Sequence, residues 1–428
     1  MIFTFERLVV ALILLYMSNA FSALIVPGGN VPWGSTRSDV GLALQPIVYL
    51  PVGILILKNW HRFVRGLPDC KWAIALTGLA LISGMWAADP LFTFRKALIL
   101  TATTAFGIYF GTRFRRDEQI NLLCYALGSA AVMSLVVILF LPQYGIDHNY
   151  HSGNWRGVFE EKNVLGKVTV LAALVFCMSS RRSLKHKGIL VAWLGVFGTL
   201  IVFSGSKTAA VAGAVLLFLA VAYGMLRYRV TLLVPFLAVS VLMCTFLIVT
   251  VTGYQGTLLA KLGRDPTLSG RSLLWDSVLV AIGKRPVLGY GFNSFWNGMA
   301  GPSATVVEAV EWVTPHAHNG FLDLCLDLGV VGLLMFSIGF VLRARTAIME
   351  YRFSGRRTAM WPLVYLSFIV IYNITESSLL HANGLYWVLY TAALVRESSL
   401  SGVQEKDSSD RRMQGQRGPF GGAERSWR

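Results

Sequence analysis

Two histidines separated by one residue, and then an asparagine, close the longest polar loop of a very apolar chain: Pro315-His316-Ala317-His318-Asn319. Imidazole takes up or releases a proton near neutral pH. At a membrane surface, among arginines, a histidine suits chemistry on a polar group carried by a lipid. A structural reading stands beside that one. His318 opens a hydrophobic helix, and Asn319 is a suitable N-cap for it. His316 and Asn319 are read as supports of His318. Farther along, Asp323 and Asp327 share one helix face. Asp323 suits the positive N-terminal end of the helix dipole. Asp327 sits deeper, where a carboxylate needs a partner. Gly329 and Gly332 follow one turn apart, a spacing expected to let helices pack closely and so fix the helix that presents His318. Glu376 and His381 flank the last outward turn and are assigned to the same cavity.

A second set of residues is cationic. Arg156 lies in Asn154-Trp155-Arg156-Gly157-Val158-Phe159, Lys207 in Ser204-Gly205-Ser206-Lys207-Thr208, and Arg271 in Ser269-Gly270-Arg271-Ser272. Each is bordered by glycine, serine or an aromatic residue. Guanidinium and ammonium groups in such loops suit a phosphate ligand. Plainer roles exist for all three. Arg156 can snorkel to headgroups, Lys207 can anchor the start of a helix, and Arg271 can be the polar face of a surface helix. Arg285, before a proline turn, is assigned a structural role.

The elements that must position these residues are membrane helices. Of the 428 residues 55% are hydrophobic and 14% charged, against roughly 25% charged in soluble domains; mean hydropathy is +0.58. The fold class is all-α and polytopic, with about twelve spans: 7–26, 39–57, 72–88, 96–111, 119–141, 163–179, 188–203, 208–226, 230–252, 319–342, 359–376 and 383–395. The alternation of an outer-membrane barrel is absent. Lysine and arginine gather in alternate loops, so the net charge of +16 reflects the positive-inside rule and not nucleic-acid binding. That places both termini in the cytoplasm and a large loop, 253–318, between spans nine and ten on the outer face. Arg271 to Lys284 is amphipathic, with Leu274, Trp275, Val278 and Ile282 on one side, and is expected to lie flat at the interface. Residues 1–396 form the membrane domain, and 397–428 read as a disordered tail. The first apolar stretch is expected to be an uncleaved helix and not a signal peptide. The five cysteines are scattered without metal spacing, so neither a disulfide framework nor a zinc site is expected.

These motifs together resemble the O-antigen ligase and polysaccharide polymerase superfamily of bacterial inner membranes, and within it the ExoQ-type exopolysaccharide polymerases. The spacing His318-Asn319-x9-Gly329-x-x-Gly332 carries most of the likeness. It is joined by Trp155 to Phe159 with Lys162-Asn163-x-x-Gly166, by Ser206-Lys207-Thr208-Ala209, and by Ser269 to Trp275 with Pro286-x-x-Gly289-Tyr290-Gly291. The resemblance implies a glycosyltransferase that joins polyprenyl-diphosphate-linked oligosaccharides, with His318 as base and Arg156, Lys207 and Arg271 on the diphosphate. No cofactor is implied, and no divalent metal, since an outward Asp-x-Asp pair is missing. Membrane lipid is a partner, and chain-length regulators or export proteins are candidate partners. Many members carry arginine where this chain has Lys207, which keeps the charge but loses the two-point phosphate contact. A ligase that moves a finished glycan to a lipid A core or a protein, and a lipid-sugar transporter without catalysis, remain as alternatives.

Overall fold

A computed structural model describes residues 4–21, 37–148, 153–179, 184–225, 271–354 and 356–396, and these are helical apart from turns, loops and one β-bridge. The helices are α1 (Phe5–Met17), α2 (Arg37–Lys58), α3 (Trp60–Gly66), α4 (Lys71–Ile82), α5 (Pro90–Arg113), α6 (Arg116–Phe140), α7 (Lys162–Met178), α8 (Leu184–Ser204), α9 (Lys207–Met225), α10 (Arg271–Lys284), α11 (Ala304–Val310), α12 (Gly320–Ser354), α13 (Trp361–Thr375) and α14 (Leu385–Leu394). Among the described residues six helical segments are long and apolar enough to cross a membrane, in α5, α6, α8, α9 and α12 and in 357–375. Shorter apolar segments lie at Ile47–Lys58, Lys71–Met85 and Leu385–Leu394. The protein is therefore a polytopic membrane protein. The ninth expected span, 230–252, and the tail 397–428 lie outside the described residues.

Close helix packing through small residues occurs in α5. Gly107 and Gly111, four apart, press on α14, where an added Cβ would meet Val388 O at 2.7 Å and Ala392 Cα at 3.0 Å. This is the small-x-x-x-small contact of membrane helices. Around it the Trp387 indole N–H donates to Thr104 Oγ1 at 2.8 Å. Trp361, Trp387, Tyr109, Tyr365, Tyr372 and Tyr390 are fully buried in the core.

One end of the bundle is held by charge. Two arginines that the loop pattern counts as topological signals are buried. Arg116 donates to Ala392 O and Val395 O, and Arg343 to Ala393 O. They satisfy the last carbonyls of α14, which have no partner within the helix, and they complement its negative dipole end. At the same end Arg113 pairs with Glu6 at 2.7 Å, and Arg7 pairs with Glu118, tying α1 to α5 and α6.

The helix behind the histidines corrects the role expected of Gly329. It is not a packing site between two helices but a break within α12, with φ +66° and ψ −166°. The loop after α10 fills the break. Tyr290 N donates to Leu326 O at 2.7 Å and Gly291 N to Asp327 O at 3.0 Å; Val330 N donates to Pro286 O at 2.8 Å and Val331 N to Val287 O at 3.3 Å. Backbone groups that the kink removes from the helical ladder thus find partners in Pro286–Gly291, as burial demands. The fit needs glycines. A Cβ on Gly329 would collide with the Val287 carbonyl, and one on Gly289 (φ +65°) would lie 2.5 Å from Leu326 O. A Cβ on Gly332 would first meet Leu328 and Leu324 of its own helix across the break. The loop is clamped from its other side by the end of α4, where Phe292 N donates to Ser83 Oγ at 2.9 Å and Ala88 N to Ser294 Oγ at 3.0 Å.

The apolar face of α10 is likewise covered by protein. Leu274, Val278 and Ala281 join Tyr290, Phe295, Val306, Ala317 and Leu326 in a second apolar cluster. The opposite side, with Leu273, Leu279 and Val280, is the exposed one. Gly329→Ala is expected to destabilise the protein by about 3 kcal/mol or more, through steric collision and a strained left-handed φ. Gly283→Ala, in open space on α10, is expected to be neutral or to stabilise by up to about 1 kcal/mol. Thermal unfolding of the two purified variants checks both.

Candidate active site

Ala317, between the two histidines, is fixed from both sides. Its N–H is bonded to the Asp323 carboxylate at 3.0 Å, and its carbonyl accepts from the Trp275 indole at 2.9 Å. Thr314 Oγ1 donates to His316 O at 2.7 Å. His318 is held in the left-handed region at φ +51°, a strained conformation for a residue with a Cβ. Its N–H donates to His316 Nδ1 at 3.1 Å. That bond requires a bare Nδ1 on His316. Burial, with His318 beside it, pushes the His316 imidazole down to about 3, so it is neutral at pH 7 and serves as an acceptor. His316 is thereby a brace for the His318 backbone.

Asn319 caps α12 as its residue type suggests, with Oδ1 accepting from Phe321 N at 3.0 Å and Leu322 N at 3.2 Å. Its Nδ2 also reaches Ile374 O at 3.2 Å, joining α12 to the end of α13. Asp323 does more than meet a helix dipole. Its oxygens accept from Trp296 Nε1 at 2.8 Å, from Ala317 N and from Ser377 Oγ, so one carboxylate joins three loops. Asp327, the deeper carboxylate, finds its partner in Asn293 N at 3.1 Å and so holds the loop that fills the break. Glu376 is the carboxylate set against the histidine: its Oε2 lies 3.9 Å from His318 Nδ1. His318 Nδ1 is buried and makes no hydrogen bond.

Two of the three cationic motifs, those of Arg156 and Lys207, pack against each other. The Trp155 ring stacks on Phe203 at 4.4 Å, and Trp155 N donates to Phe203 O at 2.9 Å. Ser206 Oγ donates to Asn163 Oδ1 at 3.0 Å. Gly166 lets α7 approach α9, since a Cβ there would lie 2.6 Å from that of Ala209. The motifs around Arg156, Asn163 and Lys207 therefore form one structure. Arg156 is buried, and its Nε is bonded to Tyr144 O at 2.9 Å. Lys207 is exposed, and Lys162, in electrostatic range of it, adds a second ammonium. Arg271 begins α10, but its side chain lies outside the described residues, as does the chain before it.

Sequence reasoning passed over two residues here. Lys162 stood inside a quoted motif without a role. Lys167 is buried in α7, with Nζ bonded to Ser378 Oγ at 2.8 Å and 4.6 Å from the centre of the Tyr386 ring. A lysine within an apolar span was the available signal. Glu161, at the start of α7, is within electrostatic range of both His318 and Lys167; burial, with Glu160 and Glu376 nearby, pushes its carboxyl up from the usual range. Among the described residues no group of three or more His, Cys, Asp or Glu is arranged to hold a metal.

The neutral His316 gives this region a pH dependence. An unfolded histidine titrates near ~6.5, and the folded one titrates well below that. Between those values the unfolded chain takes a proton that the folded chain refuses, so stability falls as pH drops through about 6. Melting temperatures between pH 7.5 and 4.5 are expected to show this slope in the parent. They are expected to show less of it in His316→Gln.

Residues 189–337, which include α9, α10 and the histidine loop, match the protein family described as O-Antigen ligase. The chain is 24% identical over 347 residues to "Exopolysaccharide production protein ExoQ" of Rhizobium meliloti (strain 1021), covering 75% of this chain and 77% of that protein. It is 29% identical over 134 residues to "Putative polysaccharide ligase RP358" of Rickettsia prowazekii (strain Madrid E), covering 30% of this chain and 31% of that one. A similar protein of Rickettsia conorii matches at 28% over 120 residues. His318, Gly329 and Gly332 lie inside the segment that is similar to the O-Antigen ligase family, and most of the chain is similar to a protein of exopolysaccharide production.

Proposed function

We propose that the protein polymerises polyprenyl-diphosphate-linked oligosaccharide repeats into exopolysaccharide at the periplasmic face of the bacterial inner membrane. The observation that carries this reading is His318, its backbone braced by His316 and its ring set beside Glu376, at the same end of the bundle as the Lys162–Lys207 surface. A hydroxyl oxygen of the acceptor repeat attacks the anomeric carbon of the donor. The bond from that carbon to the diphosphate oxygen breaks, and the polyprenyl diphosphate leaves. The hydroxyl proton passes to His318 as general base. Negative charge develops on the leaving diphosphate, where Lys207, Arg156 and Arg271, with Lys162 beside them, supply preorganised positive charge. A single displacement inverts the donor carbon, and no divalent metal enters the step.

The positive loop charges support a cytoplasmic position for both termini and an outward position for the site. The match to the exopolysaccharide protein spans 75% of this chain, far more than the ligase matches do, and favours polymerisation. The ligase names of the shorter matches favour transfer to a lipid or protein acceptor as the second reading. The test uses a null strain carrying the parent or His318→Ala at matched membrane levels. Polymerisation predicts that the variant accumulates single lipid-linked repeats and loses at least about 99% of long polymer, as loss of a general base removes roughly 10²–10⁴-fold of rate. Long lipid-linked chains that fail to reach a final acceptor would establish the ligase reading instead. Parental behaviour of the variant would remove His318 from the chemistry.

A further inference from the structure

The reaction described above gives no task to the buried ammonium of Lys167. A buried cation needs compensation, and Glu376 and Glu161 are the carboxylates within its electrostatic range. Ser378, which accepts from Lys167 Nζ, has its own N–H bonded to Asn373 Oδ1 at 2.8 Å. Gly320 N, two residues beyond His318, donates to Glu376 O at 3.2 Å. The turn 376–378 is therefore tied to α7 through Lys167 and to α12 through Gly320. His318 meets one side of it.

The groups that face His318 narrow the choice of partner. The His316 ring centre is 4.1 Å from that of His318, and His316 is neutral. Asp323 is in electrostatic range, but its oxygens are engaged by Trp296, Ala317 and Ser377. Glu161 is in range too, and burial pushes its carboxyl up from the usual range. His381 acts on His316 from farther off. Glu376 is the carboxylate at 3.9 Å from Nδ1.

We propose that Lys167 and Glu376 form a charge pair that positions His318: Lys167 balances and fixes Glu376, and Glu376 turns Nδ1–H of His318 toward itself, so that Nε2 faces the reacting hydroxyl. The proposal rests on the base role of His318. A neutral imidazole carries one N–H, and a carboxylate at Nδ1 selects the tautomer whose lone pair is on Nε2. When Nε2 takes the acceptor's proton, the imidazolium forms beside a fixed carboxylate, where low dielectric strengthens their attraction. The 3.9 Å separation closes to a hydrogen bond in the reacting complex, as separations between catalytic groups commonly do. Lys167 and Glu376 touch no substrate and are positioning residues.

The test measures kcat and KM for the full-length protein in lipid nanodiscs, with a synthetic polyprenyl-diphosphate repeat unit, from pH 5.5 to 9. Glu376→Gln is expected to lower kcat about 100-fold or more, as loss of the carboxylate behind a catalytic histidine does. Its KM should stay within about two-fold, and the acid limb of kcat should move about one unit lower. Lys167→Met is expected to lower kcat, and Lys167→Arg to recover more of it than Met does. The double variant Glu376→Gln/Lys167→Met should be no slower than the worse single, as for residues acting as a unit. Additive losses would overturn the coupling. If Lys167→Met fails to fold, the acid limb of Glu376→Gln decides, and an unmoved limb overturns the proposal. Parental kcat and pH profile in Glu376→Gln, beside an inactive His318→Ala, would overturn the positioning pair and leave the base role standing. An active His318→Ala would overturn the base role itself.

Discussion

A backbone amide or carbonyl inside a membrane protein must find a partner within the protein, and α12 breaks that ladder at Gly329. The kink removes main-chain bonds, and Pro286–Gly291 returns them. The elements on the α10 side of the histidines are tied to that exchange. The loop carries Tyr290 into the second apolar cluster, which holds α10, and α10 carries Trp275 to the carbonyl of Ala317. The glycines 289, 291 and 329 are compulsory because two backbones cross where a Cβ has no room.

From that crossing the site gains rigidity by dividing its carboxylates. Asp327 anchors the mending loop and Asp323 ties three segments together, both through backbone or indole donors. These two acids are consumed by structure. Glu376 is placed differently, against an imidazole and in the field of a buried lysine. Division of like groups into structural and chemical roles by their surroundings is a general way to build a site. His316 shows the same logic among bases, since its acceptor duty depends on remaining uncharged.

Much of this was legible in the sequence, and the residues show where legibility stopped. Apolar runs located most of the described helices within a few residues, because length and hydropathy largely decide them; α1 stops at Met17, short of the expected 26, and α12 runs on to Ser354, past the expected 342. Asn319 was legible as a cap because its partners are local. The order of the motifs was legible as a family likeness, which the match over residues 189–337 supports. Gly329 was seen but assigned to helix contact: a one-dimensional spacing does not separate a packing glycine from one that breaks a helix to admit a loop. The actual packing pair, Gly107 and Gly111, lay in a stretch with no other signal. Arg116 and Arg343 were counted as loop charges, since their acceptors are carbonyls more than 49 residues away in sequence. Lys167 needed the third dimension as well, because Ser378 and Tyr386 lie far along the chain.

The arginines that close α14 bear on how the orientation of this protein can be established. Mapping by charge reversal assumes that a loop cation acts only during insertion. Arg116 and Arg343 also hold the final turn of a helix in the mature bundle. Replacing either one would perturb the product as well as its route of assembly, and a lost reporter signal would be ascribed to inversion. The exposed Arg352 is a cleaner handle for deciding which way the chain is threaded.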